Sequence, residues 1–116
     1  MTIDESQVVR LEEIGGPALV VNLIDIVLQE LPGRIAGVHS ALARRDHAAL
    51  GSAAHSVVSG TGHFGAFGVS DLAREIELAA PGGDWPALAE SVARLEAMTA
   101  TFLAYLARER ARRVPA

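Results

Sequence analysis

Apolar residues recur at spacings of three and four along most of this chain, the period of a single buried helix face. From Ala18 onward Val20, Leu23, Ile24, Val27, Leu28 and Leu31 follow it, and after Pro32-Gly33 it resumes with Ile35, Val38 and Leu42. An interior proline removes one backbone hydrogen bond and bends a helix, so the stretch reads as one long helix bent at Pro32. Ahead of it, residues 6–14 predict a short helix with Asp4 and Ser6 placed to cap it. Gly15-Gly16 ends that helix, and Pro17 suits the first turn of the next. Arg44-Arg45 closes the long helix, and Asp46 is placed to cap a third from about His47 to Phe64. Ser70 is placed to cap a helix from Asp71 to Ala80. After the turn Pro81-Gly82-Gly83-Asp84, Asp84 caps a last helix from Trp85 to about Arg112, striped by Leu88, Val92, Leu95, Met98, Phe102, Leu103 and Leu106. The pattern predicts an all-α fold, a single domain over residues 1–116. Within it an antiparallel four-helix bundle spans about 17–112, led by a short N-terminal helix, since short connections make neighbours antiparallel.

Composition sharpens this picture. Half of the 116 residues are apolar but only five are Phe, Trp or Tyr, so the core is aliphatic and the helices pack closely. A chain of this length buries roughly 60–70% of its unfolded surface, enough for a core without staples. The absence of cysteine excludes disulfides and thiolate metal sites. A net charge of −4 gives no electrostatic footprint for nucleic acid. The one basic cluster, RERARR at residues 108–113, reads as the last turn of a helix, favourable to its dipole. No run approaches the roughly 20 apolar residues of a membrane span. The N-terminus, MTIDESQ, is polar and acidic where a signal peptide would be basic and then apolar, so a soluble cytoplasmic domain is expected.

Residues 60–65, GTGHFG, match the G-x-G-x-x-G string of dinucleotide loops. Such a loop works only between a strand and the helix it opens. Here HAALGSAA upstream is helical in character, and no second strand of a βαβ unit follows. Placed at 100° per residue on a helix instead, Leu50, Ala53, Val57, Gly60 and Phe64 fall opposite His55 as a core face. Within about 60° of His55 lie Ala48, Gly51, Ser52, Val58, Ser59, Gly62 and Ala66, all tiny except Val58. Each interior glycine costs a helix about 1 kcal/mol relative to alanine. Packing accounts for Gly60, whereas Gly51 and Gly62 lie on the histidine's side, where removing side chains lets a macromolecule approach the imidazole.

The stretch AHSVVSGTGHFGA, residues 54–66, resembles the signature of histidine phosphotransfer (HPt) domains. That signature is a His, an apolar residue two later, Lys and Gly at three and four, and apolar-Gly-Ala at nine to eleven. His55, Val57, Phe64, Gly65 and Ala66 fill its places; Val58 stands in the lysine position, and Ser59 in the glycine position with Gly60 one later. The preceding LIDIVLQELPGRIAGVHSALARRDHAAL and the following VSDLAREIE resemble the family's flanking helices. The family's fold, a four-helix bundle with a short leading helix, agrees with the one read from periodicity.

The resemblance implies a carrier in a two-component phosphorelay. His55 would accept a phosphoryl group from a receiver-domain aspartate and pass it to another, with Gly51, Ser52, Val58, Ser59 and Gly62 as phosphosite surroundings and docking surface. An exposed imidazole is ordinarily mostly neutral and nucleophilic at cellular pH. The implied partners are response-regulator receiver domains and a histidine or hybrid kinase. The receiver is expected to bring Mg²⁺ and a lysine, and this chain no cofactor of its own. One charge-assisted contact is worth about 1.5–3 kcal/mol, or roughly ten- to a hundredfold in rate, so valine in the lysine position is expected to slow transfer or shift the phosphorylation equilibrium without abolishing the chemistry. The Ser59 hydroxyl is placed to hydrogen-bond the phosphoryl group. Two alternatives stand beside the carrier: a non-relaying receiver-binding or scaffold bundle, and the phosphoacceptor domain of a larger histidine kinase. The initial Met and the whole bundle favour a free-standing protein, expected as a monomer.

Other chemistry is thin. No Ser-His-Asp or paired-carboxylate constellation can be assembled, so activity is expected only with a partner. Asp25, Glu30, Asp71 and Glu77 read as solvated helix faces or caps. His39, His47, His55 and His63 recur every eight residues. That spacing separates neighbours on a helix by about 80° and about 12 Å along the axis, which excludes a shared metal within one helix. No metal, nucleic acid or membrane ligand is expected.

Overall fold

The structure, a computed structural model, describes residues 5–61, 64 and 67–114. Its elements are α1 (Ser6–Ala43), α2 (His47–Gly60), α3 (Phe67–Ala79) and α4 (Trp85–Ala111), with no strand among the described residues. The break foreseen at Gly15-Gly16 is present inside α1: Gly16 has φ 76° and ψ −176°, a conformation glycine adopts without a Cβ penalty. It divides a leading segment from a long helix that begins at Pro17 and runs through Pro32 to Ala43. Asp46 and Asp84 cap as the sequence implies. Asp46 Oδ1 accepts from the Ala49 amide at 3.0 Å, and Asp84 Oδ2 from the Ala87 amide at 3.0 Å, each cap worth about 1 kcal/mol. Glu5 precedes α1 without a side-chain cap, and Asp4 lies outside the described residues.

Two boundaries differ from expectation, and both lie beside the glycine-rich segment. α2 ends at Gly60, not at Phe64. Gly60 and the β-branched Thr61 are poor helix formers, and the Thr61 hydroxyl closes the turn by donating to the Val58 carbonyl at 3.0 Å. α3 starts at Phe67, so Ser70 lies within the helix and is not its cap; its hydroxyl stands 3.2 Å from Thr61 Oγ1 and ties the end of α2 to α3. Phe64 keeps its predicted core role from the connection between the helices, fully buried.

The helices pack as a ring, α1 against α2 and α4 and α3 against α2 and α4. The core is mainly aliphatic, with Ile24, Leu31, Leu50, Ile76, Leu95 and Leu106 fully buried beside Phe64 and Phe102. The basic cluster at residues 108–113 does more than complement a helix dipole. Arg110 Nε donates to Asp25 Oδ1 at 2.5 Å, and Arg113 Nε to Glu12 Oε2 at 2.6 Å, which pins both parts of α1 to the end of α4. Asp25, read from the sequence as a solvated carboxylate, is therefore half of an inter-helix ion pair. Glu30 and Asp71 are exposed as expected.

Burial, reinforced by the nearby Glu109 and Glu5 carboxylates, pushes the Tyr105 phenol up to about 12. An unfolded tyrosine ionises near pH ~10, so over the interval above that the folded chain holds a proton the unfolded chain has released. Stability is therefore expected to fall as pH rises from about 10 to about 12. Denaturation followed across this range should show the decline in wild type and a flatter profile in Tyr105→Phe.

Candidate functional site

His55 stands on the outward ridge of α2. Its side chain is 66% exposed, while Leu50, Ala54, Val57 and Gly60 on the opposite side are buried. Of the small neighbours foreseen around it, those within α2 can be placed, and Ala66 lies outside the described residues. Ala48, Ser52 and Ser59 are exposed and Gly51 is half-buried; Gly62 lies outside the described residues. Val58 turns sideways instead, half-buried and packed against the core, so it contributes apolar contact and not a group beside the imidazole. The chain contains no lysine anywhere, so no other lysine takes the part that position 58 leaves vacant.

The glycines have distinct reasons. A Cβ on Gly60 would stand 2.7 Å from Arg34 Cδ. The missing side chain lets the Arg34 stem cross α2, where Nη1 donates to the Ser56 carbonyl at 2.8 Å. Packing thus accounts for Gly60, as inferred from the sequence. A Cβ on Gly51 would meet Ala80 Cβ at an ordinary 3.7 Å, so no clash forces glycine there. Its effect is to keep open the floor of a shallow depression of about 460 Å³, lined by His47, Ala48, Gly51, Ser52, His55, Glu77 and Pro81.

Glu77 is the residue that sequence reading missed. It reaches from α3 so that Oε2 lies 2.9 Å from His55 Nδ1, and its side chain is 33% exposed. A carboxylate there favours the tautomer with the proton on Nδ1, which leaves the lone pair on Nε2. The sequence does hold a signal, because Glu77 borders the α3 core stripe of Leu72, Ala73 and Ile76. Recognising it requires knowing that α3 packs beside the face of α2 that carries Gly51 and His55.

Of the other evenly spaced histidines, His47 is fixed in place by its surroundings. His47 Nε2 donates to the Gly83 carbonyl at 2.9 Å and its ring stacks on Trp85 with centroids 4.1 Å apart, so it pins the rim of the depression. His39 pairs with Glu96 on the other side of the bundle, and His63 lies outside the described residues. Among the described residues no group of three or more His, Cys, Asp or Glu is arranged to hold a metal ion. A Cβ on Gly83 would clash with the Ala79 carbonyl and lie 3.0 Å from Leu88 Cδ1. Gly83→Ala is therefore expected to cost about 1–3 kcal/mol of stability and to loosen the His47 anchor. Urea denaturation and Trp85 fluorescence would report the two effects.

Fold and site together define a class: a helical bundle that offers an oriented imidazole on an open ridge, bordered by small side chains. Comparison with known proteins agrees. A family model described as Hpt domain matches residues 22–105. The chain is also similar to the crystal structure of histidine-containing phosphotransfer protein B (HptB) from Pseudomonas aeruginosa PAO1, with 25% sequence identity, 95% of each chain covered and a TM-score of 0.83. Comparison with curated proteins gives no match. The chain belongs to the Hpt domain family.

Proposed function

We propose that this protein is a phosphorelay carrier in which His55 Nε2 accepts the phosphoryl group. The observation that carries the reading is the exposed His55 imidazole with Nδ1 held by Glu77. In the transfer, the Nε2 lone pair attacks phosphorus in line as the bond to a receiver's aspartyl oxygen breaks. The aspartate leaves as a carboxylate, and the positive charge that develops on the imidazole is stabilised by Glu77 through Nδ1–H. The return step reverses these changes on a second receiver. Mg²⁺ and the cations that neutralise the phosphoryl oxygens belong to the receiver in this scheme, and Val58 adds to the apolar surface it meets. The partners are response-regulator receiver domains and, upstream, a histidine or hybrid kinase, acting in the cytoplasm. No described helix is long and apolar enough to cross a membrane.

Incubation with a phosphorylated receiver tests this directly and should yield an acid-labile, base-stable label on the chain. Glu77→Ala should slow the transfer about tenfold, the scale of one charge-assisted hydrogen bond. Glu77→Gln, which keeps an acceptor oxygen, should retain more of the rate. Single-turnover transfer rates would distinguish the two variants.

A further inference from the structure

We infer that His39 is a second phosphoryl-accepting imidazole, in the groove opposite that of His55. The observation is a repeat of the same local geometry. His39 Nδ1–H donates to Glu96 Oε1 at 3.0 Å, with side-chain exposures of 68% and 39%. At His55 the corresponding values are 2.9 Å, 66% and 33%. In each case a histidine on one helix is oriented through Nδ1 by a glutamate on the neighbouring helix. One pair bridges α1 and α4 and the other bridges α2 and α3, the two opposite grooves of the ring.

The surroundings are uncharged as well. Within about 60° of His39 and two turns of it on α1 lie Pro32, Ile35, Ala36, Leu42 and Ala43; Pro32, Ala36 and Ala43 are exposed, and Ile35 and Leu42 are half-buried. Pro32, Ile35 and Ala36 line a shallow groove of about 410 Å³ beside the His39–Glu96 pair, with room for a donor's phosphoryl group. His47 shows what a purely structural histidine looks like in this bundle: its Nε2 is taken by a backbone carbonyl and its ring is covered by Trp85. His39 has neither restraint, and Glu96 favours the tautomer that leaves the lone pair on Nε2.

The donor is a phosphoramidate-class molecule. His39 Nε2 attacks phosphorus and the P–N bond of the donor breaks as the N–P bond to the imidazole forms. The donor reacts with its nitrogen already protonated, as ⁺H₃N–PO₃²⁻, so the leaving nitrogen keeps the electron pair of the broken bond and departs as ammonia. The phosphoryl-imidazolium then gives up its Nδ1 proton, through Glu96, to the ammonia or to solvent. The inference takes its chemistry from the reading of His55 but does not depend on any receiver using that residue.

The test is to treat wild type, His39→Gln, His55→Gln and the double variant with phosphoramidate, then measure intact mass and map the label at alkaline pH. Wild type is expected to take two phosphoryl groups, each single variant one, and the double variant none, with the label of His55→Gln at residue 39. An unlabelled His55→Gln, or one labelled at residue 47 or 63, overturns the inference and leaves the assignment of His55 standing. Label at residue 39 with none at residue 55 in wild type supports the inference and removes the assignment of His55. Glu96→Ala should lower labelling of His39 about tenfold, with Glu96→Gln restoring most of it and His55 unaffected. Equal labelling of His39 in all three would contradict the positioning role of Glu96.

Discussion

His55→Gln is expected to abolish transfer from a phosphorylated receiver, by more than about a thousandfold, the scale seen when a nucleophile is removed. A glutamine amide fills a similar volume but offers no lone pair able to form a phosphoramidate bond. The substitution should leave the fold intact, because the side chain is 66% exposed and contacts Glu77 at the surface. Exposed substitutions of this kind ordinarily change stability by no more than about 0.5 kcal/mol. Helical content and the unfolding midpoint should match wild type while receiver-dependent label disappears. Loss of label together with loss of structure would instead make His55 a residue of the scaffold.

Ser52→Trp is expected to separate docking from chemistry. Ser52 is exposed, lies on the same ridge three residues before His55, and lines the same depression. An indole placed there meets no core residue, so the bundle should tolerate it, but it fills space a receiver needs in order to bring its aspartyl phosphate in line with Nε2. Misplacement of the reacting groups by about 1 Å costs on the order of a hundredfold, and a ring on the docking surface imposes more than that. Receiver-dependent transfer should therefore fall at least about a hundredfold, while labelling of His55 by phosphoramidate, a donor far smaller than a receiver, stays at the wild-type rate. If both donors slow equally, Ser52 acts on the imidazole itself and the ridge is not a docking surface.

Much of this arrangement is legible in the sequence because it follows from local rules. The apolar period of α1 and α4, the caps Asp46 and Asp84, and the break at Gly16 each depend on a few neighbouring residues. The clearing around His55 is also local, since helical periodicity alone puts Ala48, Ser52 and Ser59 on its side. What escaped the sequence depends on which helix lies beside which. Glu77 and Asp25 look like ordinary solvated carboxylates until α3 is set against α2 and the end of α4 against α1. The end of α2 escaped for a related reason. Phe64 continues the apolar period past Gly60, and only the Thr61 contacts with Val58 and Ser70 show that it does so outside the helix. Val58 was identified as the departure from the family's lysine, but its sideways packing against the core required the tertiary structure.

Mapping the phosphoryl group after receiver-dependent labelling of the wild-type chain tests the carrier function most directly. A receiver phosphorylated on its aspartate is mixed with the protein in Mg²⁺, the label is located by mass spectrometry at alkaline pH, and a second receiver is then added. The expected result is a single acid-labile, base-stable label at residue 55 that passes to the second receiver. A wild-type chain that binds receivers yet stays unlabelled with every one from its source would contradict the carrier function and make the bundle a receiver-binding scaffold.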